Sequence, residues 1–131
     1  NEYSTLDLDS TKEYGNNIYN HLISANPDLK PRIRVIRSKT LPMRDLLFID
    51  GKLYEILEYR ENVDALEFKE LFVTMKNIYG IPEMNKESDF TAYTYKNDNT
   101  QVILISKGNG DRFQVRIYLY SRSLFHRILI D

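Results

Sequence analysis

Cysteine and tryptophan are absent from the 131 residues, and there are only two histidines, four prolines and five glycines. Without cysteine there is no disulfide, no thiolate metal site and no cysteine nucleophile, and oxidising and reducing surroundings are equally tolerated. Long apolar runs are missing as well. No stretch approaches the roughly 18–20 apolar residues of a membrane-spanning helix, and the opening NEYSTLDLDSTKEYGNN has neither the basic nor the apolar region of a signal peptide. The chain begins at Asn1 without a Met, which fits a trimmed form; a periplasmic or lipid-anchored exported protein is expected over a cytoplasmic one. Nor does one sign of charge dominate. Eighteen basic residues stand against nineteen acidic, so no overall field draws the protein to nucleic acid or anionic membrane, and any charged site is a local patch.

Catalytic signatures are equally scarce. No HExxH, GxSxG, P-loop or calcium-loop pattern occurs. His21 lies beside an apolar helical stripe and His126 in a strand-like run, and both read as ordinary structural or surface histidines. Gly108-Asn109-Gly110-Asp111 joins two strands and opens no helix, so it is a turn and not a phosphate cradle. Glu58, Glu61 and Asp64 read as capping and solvating groups on the approach to a helix. No cofactor and no metal are expected.

What is present is punctuation. In DALEFKELFVTMKNIYGIP, residues 64–82, the side chains Phe68, Leu71, Phe72, Met75, Ile78 and Tyr79 recur at spacings of three and four and predict a helix with one buried face. Asp64 and Glu67 have capping-box spacing, while Gly80 and Pro82 mark the stop. An earlier helix is predicted over residues 10–25 from Ser10, Glu13, Tyr14, Ile18, Leu22 and Ala25; Gly15, Asn16 and Asn17 weaken it, so it depends on docking. Strands are expected in RIRVIR near an edge, on either side of Asp50-Gly51, and in a closing meander over residues 90–96, 100–107 and 112–120. The Asp-Gly turn pairs Ile49 with Lys52, Phe48 with Leu53 and Leu47 with Tyr54. Glu83 to Asp89 reads as a polar loop, and VILIS, apolar on both faces, as a central strand.

At 42% hydrophobic residues the chain suits one α+β domain over residues 1–131. It is expected to have an antiparallel sheet of about five to seven strands with two helices packed on it, in the order α-βββ-α-βββ. The last clean strand alternates, with Phe113, Val115, Ile117 and Leu119 pointing one way. Arg112, Arg116, Tyr118, Tyr120 and Arg122 point the other, with Gln114 among them, and Tyr93 and Tyr95 of a neighbouring strand are expected to join them. Tyr and Arg are enriched at interface centres, so this face is the candidate contact surface for a protein partner. A second patch, Arg32, Arg34, Arg37, Lys39 and Arg44, together with strand tyrosines, has the composition of a single-stranded nucleic-acid surface, against which the balanced net charge argues.

The order of an apolar strand, Asp50-Gly51, Lys52-Leu53-Tyr54, a helix ending Tyr79-Gly80 with Pro82, and a meander containing Tyr118 to Ser121 resembles small exported bacterial α+β domains. These include lipoproteins and modules similar to the β-lactamase inhibitory protein. In element order alone it also resembles secretion chaperones. Both resemblances imply binding proteins. The sequence therefore points to a non-enzymatic protein-binding or assembly module, with a small-ligand-binding domain or enzyme, using a pocket between helix and sheet, as the alternative.

Overall fold

A computed structural model describes residues 3–8, 17–109 and 111–121. Eight strands form one wholly antiparallel sheet: β1 (Tyr3–Thr5), β2 (Ile33–Ser38), β3 (Met43–Ile49), β4 (Lys52–Asp64), β5 (Glu83–Lys86), β6 (Thr91–Lys96), β7 (Thr100–Asn109) and β8 (Arg112–Ser121). Helix α1 (Asn17–Ala25) and a 3-10 turn (Pro27–Arg32) precede β2, and helix α2 (Ala65–Tyr79) follows β4. The spatial order is β1-β2-β3-β4-β8-β7-β6-β5. No helix among the described residues is long and apolar enough to cross a membrane.

The α+β class and the antiparallel sheet stand, but there are eight strands where five to seven were expected. The additions are the short edges. β1 is three residues long, and β5, EMNK, has all four side chains exposed, so neither carries the apolar alternation by which a strand is recognised. VILIS does lie in an interior strand, although the central pair is β4 and β8. RIRVIR becomes β2, one position in from the β1 edge.

Local chemistry explains the firm boundaries. Asp50 and Gly51 both have positive φ, 51° and 78°, as a type I′ hairpin turn requires. Ile49 faces Lys52 and Phe48 faces Leu53 as expected, but a β-bulge then inserts Tyr54, so that Leu47 faces Glu55 instead of Tyr54. The backbone N–H of Glu67 donates to Asp64 Oδ1 at 2.8 Å to cap α2, and Gly80, at φ 88°, closes it with its N–H on the Lys76 carbonyl. Of the predicted stripe, Met75 is buried and Phe68, Leu71, Phe72 and Tyr79 are half-buried, but Ile78 is 65% exposed at the edge of the helix face. The predicted start of the first helix, with Ser10, Glu13 and Tyr14, lies outside the described residues, as does the strand-like run that holds His126.

Residues directly opposite in an antiparallel ladder share a sheet face. Tyr19 and Leu22 of α1 therefore meet the face that carries Ile33, Val35, Leu47 and Ile49, with which they form one buried cluster together with Leu29 and Tyr54. Phe68, Leu71, Met75 and Tyr79 of α2 gather on the opposite face, with Val63, Tyr95, Val102, Leu104 and Val115. Rings fix that contact. Phe68 lies 4.9 Å from Phe113, and Phe72 meets Tyr93 edge-on at 5.0 Å. The two helices thus occupy opposite faces and opposite halves of the sheet: α1 over β2 to β4, α2 over β8, β7 and β6.

One glycine is held by contact. At Gly108, φ 133°, an added Cβ would sit 2.5 Å from the Arg112 carbonyl oxygen. Gly108→Ala is expected to destabilise the protein by about 1–3 kcal/mol through backbone strain; a thermal melt coinciding with that of the parent would contradict this.

Candidate functional site

The alternation of β8 is as the sequence predicts, but its polar face is not uniformly open. Tyr118 and Tyr120 retain only 5% and 8% of their surface, because their cross-strand neighbours on β4, Leu57 and Glu55, are themselves buried. Tyr120 stacks on Tyr54 with ring centroids 6.4 Å apart. Burial, with the nearby Glu55 carboxylate adding to it, pushes the Tyr118 hydroxyl pKa upward. Arg112 is exposed, 3.9 Å from Asp64. Arg116 is half-buried, with Nη1 2.8 Å from Glu61 and its guanidinium 4.9 Å from the centre of the Tyr59 ring. Arg122 and His126 lie outside the described residues, and His21 is exposed on α1.

Tyr93 and Tyr95 do not join this surface. Tyr93 faces Leu104, which faces Ile117, and Tyr95 faces Val102, which faces Leu119, so both tyrosines lie under α2. One residue of parity separates the two outcomes. Among the described residues, the expected Arg/Tyr surface is instead one exposed cation at the end of β8, a half-buried Arg116 and two packed tyrosines.

Beside Arg116 lies a polar network that local sequence reasoning misses. Asp45, with no exposed side-chain surface, accepts from Arg37 Nε at 2.7 Å and Nη2 at 2.9 Å, and from the Tyr59 hydroxyl at 2.9 Å. The Arg37 guanidinium also lies 5.7 Å from the Tyr59 ring centre. Burial raises the Tyr59 hydroxyl pKa, and the Asp45 carboxylate adds to the rise. Parity holds the available signal: Arg37 shares its side of β2 with Ile33 and Val35, and Asp45 shares its side of β3 with Leu47 and Ile49. A charge on a core-facing register position calls for a partner.

Pairing also dissolves the basic patch. Arg32 binds Asp50, Arg37 binds Asp45, and Arg44 Nε lies 2.6 Å from Glu58 Oε1. Glu58 receives Arg60 at 2.6 Å as well. Burial alone would raise the Glu58 pKa, but the hydrogen bonds from Arg60 and Arg44 outweigh it and hold the carboxyl below its usual range. Arg34 and Lys39 are left exposed without ion-pair partners among the described residues. Two isolated cations give no track for a phosphate backbone.

A different surface emerges from the strand register. Ile36, Leu46, Ile56, Leu119, Val102 and Tyr95 face one another in turn across β2, β3, β4, β8, β7 and β6, making one apolar row on the α2 face. Helix α2 gathers the Leu119, Val102 and Tyr95 end into its cluster. Ile36, Leu46 and Ile56 belong to neither buried cluster and stay half-buried, as does the adjacent Phe48, while Leu53 is 46% exposed. Arg34 flanks Phe48 on one side of this open half; the Arg44, Glu58 and Arg60 chain flanks it on the other.

No family model, curated protein or solved structure matches the chain. The functional reading therefore rests on its own geometry.

Proposed function

We propose that the protein is a non-enzymatic protein-binding or assembly module that docks its partner on the half of the α2 face left open by α2. The observation that carries this reading is the apolar row. It is continuous across six strands, yet among the described residues only one end is covered by a helix, and the other end brings half-buried Ile36, Leu46, Phe48 and Ile56 and exposed Leu53 side by side. Contiguous exposed apolar surface with a charged rim is the ordinary sign of a protein-contact site, whereas apolar residues scattered singly are not. The Arg and Glu rim supplies orientation, since rim charges act more on encounter and register than on affinity.

On this proposal the contact lies beside α2, on the same sheet face, and away from Arg112, Arg116, Tyr118 and Tyr120, where the tyrosines are buried. An exported, bacterial setting is in keeping with the layout resemblance and forms part of the proposal. Immobilised protein should retain a specific partner from native extract, and Leu46→Asp with Phe48→Asp should abolish that capture while far-ultraviolet circular dichroism stays native. Undiminished capture by the double variant would overturn the reading.

A further inference from the structure

The opposite face of β7 and β8 holds a hollow of about 190 Å³, lined by Phe90, Ile105, Lys107, Gln114, Arg116 and Tyr118. Its chemistry is divided. Lys107 faces Gln114 across the ladder and Ile105 faces Arg116, so that cationic and amide groups rim one side of a floor made by Ile105, the Tyr118 ring and Phe90. Phe90 is 38% exposed although it borders the strand that follows it.

The charges in the hollow are not equivalent. Arg116 is held by Glu61 at 2.8 Å and by the Tyr59 ring, so its charge is matched within the protein. Lys107 is exposed and has no acidic partner among the described residues, and the Gln114 side-chain amide likewise makes no hydrogen bond among them. The hollow thus offers one uncompensated positive charge, one unengaged amide donor and an apolar floor. A planar carboxylate accepts from an ammonium and an amide at once, and its single charge equals the surplus; a doubly charged phosphate would exceed it.

We infer that this hollow binds a small monocarboxylate with an apolar body, either one ring or a short branched chain. The carboxylate lies between Lys107 and Gln114 and the body lies on Ile105, Tyr118 and Phe90. Sites for drug-sized molecules occupy about 300–1,000 Å³, so a hollow of this size admits only a fragment-sized ligand. Affinity is correspondingly modest, with a dissociation constant on the order of 0.1–1 mM. The site lies on the sheet face away from the proposed docking surface, and either can fail without the other.

The test is a nuclear magnetic resonance titration of the whole chain with phenylacetate and with 4-methylpentanoate, each alongside its neutral amide. At least one of the two carboxylates should give saturable shifts confined to the backbone amides of Phe90 and of residues 105–107 and 114–118. The neutral amides should bind at least about tenfold more weakly, consistent with the loss of a charge-assisted contact. Lys107→Met should weaken carboxylate binding to the same degree, whereas Lys69→Met, on exposed α2 surface, should not change it. Absence of a saturable shift with both acids, equal binding of acid and amide, or undiminished binding by Lys107→Met would each overturn the inference.

Discussion

Asp45→Ala should lower the unfolding free energy by about 3–5 kcal/mol, the cost of removing one member of a buried charge pair, as read from urea denaturation. The Asp45 side chain is fully enclosed and accepts three hydrogen bonds, two from the Arg37 fork and one from the Tyr59 hydroxyl. Its removal leaves a guanidinium that is two-thirds buried and a phenol beside it, both without their acceptor. Most of the measured loss is therefore desolvation left uncompensated, and less is the intrinsic strength of the pair. Replacing both charges together, as Asp45→Leu with Arg37→Met, should recover much of the stability, because an apolar pair of similar volume has no charge to desolvate. The Tyr59 hydroxyl provides a second readout. With the Asp45 carboxylate gone, part of the upward push on its pKa disappears, so it should titrate at lower pH than in the parent. A loss below about 1 kcal/mol for Asp45→Ala would put the network in the class of exposed ion pairs and contradict its burial.

Leu104→Ala should cost about 2–5 kcal/mol, whereas the matching truncation Leu46→Ala should cost less than half as much. Leu104 has no exposed surface, faces Tyr93 on one side and Ile117 on the other, and lies in the cluster that α2 covers. Removing its methyl groups leaves a cavity that the close-packed surroundings fill only in part. Leu46 occupies the same face of the same sheet but at the uncovered end, where it is half-buried and outside both clusters. The void there opens to water, and only the modest transfer term is lost. Equal destabilisation by the two truncations would mean that the β2 to β4 half of the face is sealed, and the docking proposal would lose its basis.

What could be read from the chain alone was governed by distance along it. The caps of α2 are local: Asp64 reaches the Glu67 N–H three residues away, and Gly80 ends the helix by its own conformational freedom. The Asp50-Gly51 hairpin is local too, and its first two pairs follow from turn geometry. The third pair fails because a bulge at Tyr54 shifts the register by one, and nothing in KLYEIL marks the extra residue. The face assignment of Tyr93 and Tyr95 depends on pairing with β7, so parity within β6 alone does not determine it. Asp45 and Arg37 look like surface charges until β2 and β3 are aligned, and only then does their shared core-facing parity show. The short edges β1 and β5 earn their hydrogen bonds from neighbouring strands and not from any pattern of their own. That the helices choose opposite faces is the least local feature of all, since it follows from parity carried through β3, β4 and β8.

For the candidate site the same holds. The alternation of β8 is plain in FQVRIYLY, but the burial of Tyr118 and Tyr120 depends on Leu57 and Glu55, some sixty residues earlier in the chain. The open half of the α2 face draws its members from three strands, each of which looks like ordinary core in isolation. Among the described residues, Ile36, Leu46 and Ile56 are left uncovered because α2 stops short of them.

The central claim, that this half-face is where a partner sits, is tested most directly by site-specific photo-cross-linking in native extract. A photoreactive phenylalanine analogue at Phe48 should give one dominant cross-linked protein, and the same analogue at Lys69, on exposed α2 surface, should give none. Cross-linking that is equal at the two positions, or absent at Phe48 while a partner is still retained by the whole protein, would contradict the account.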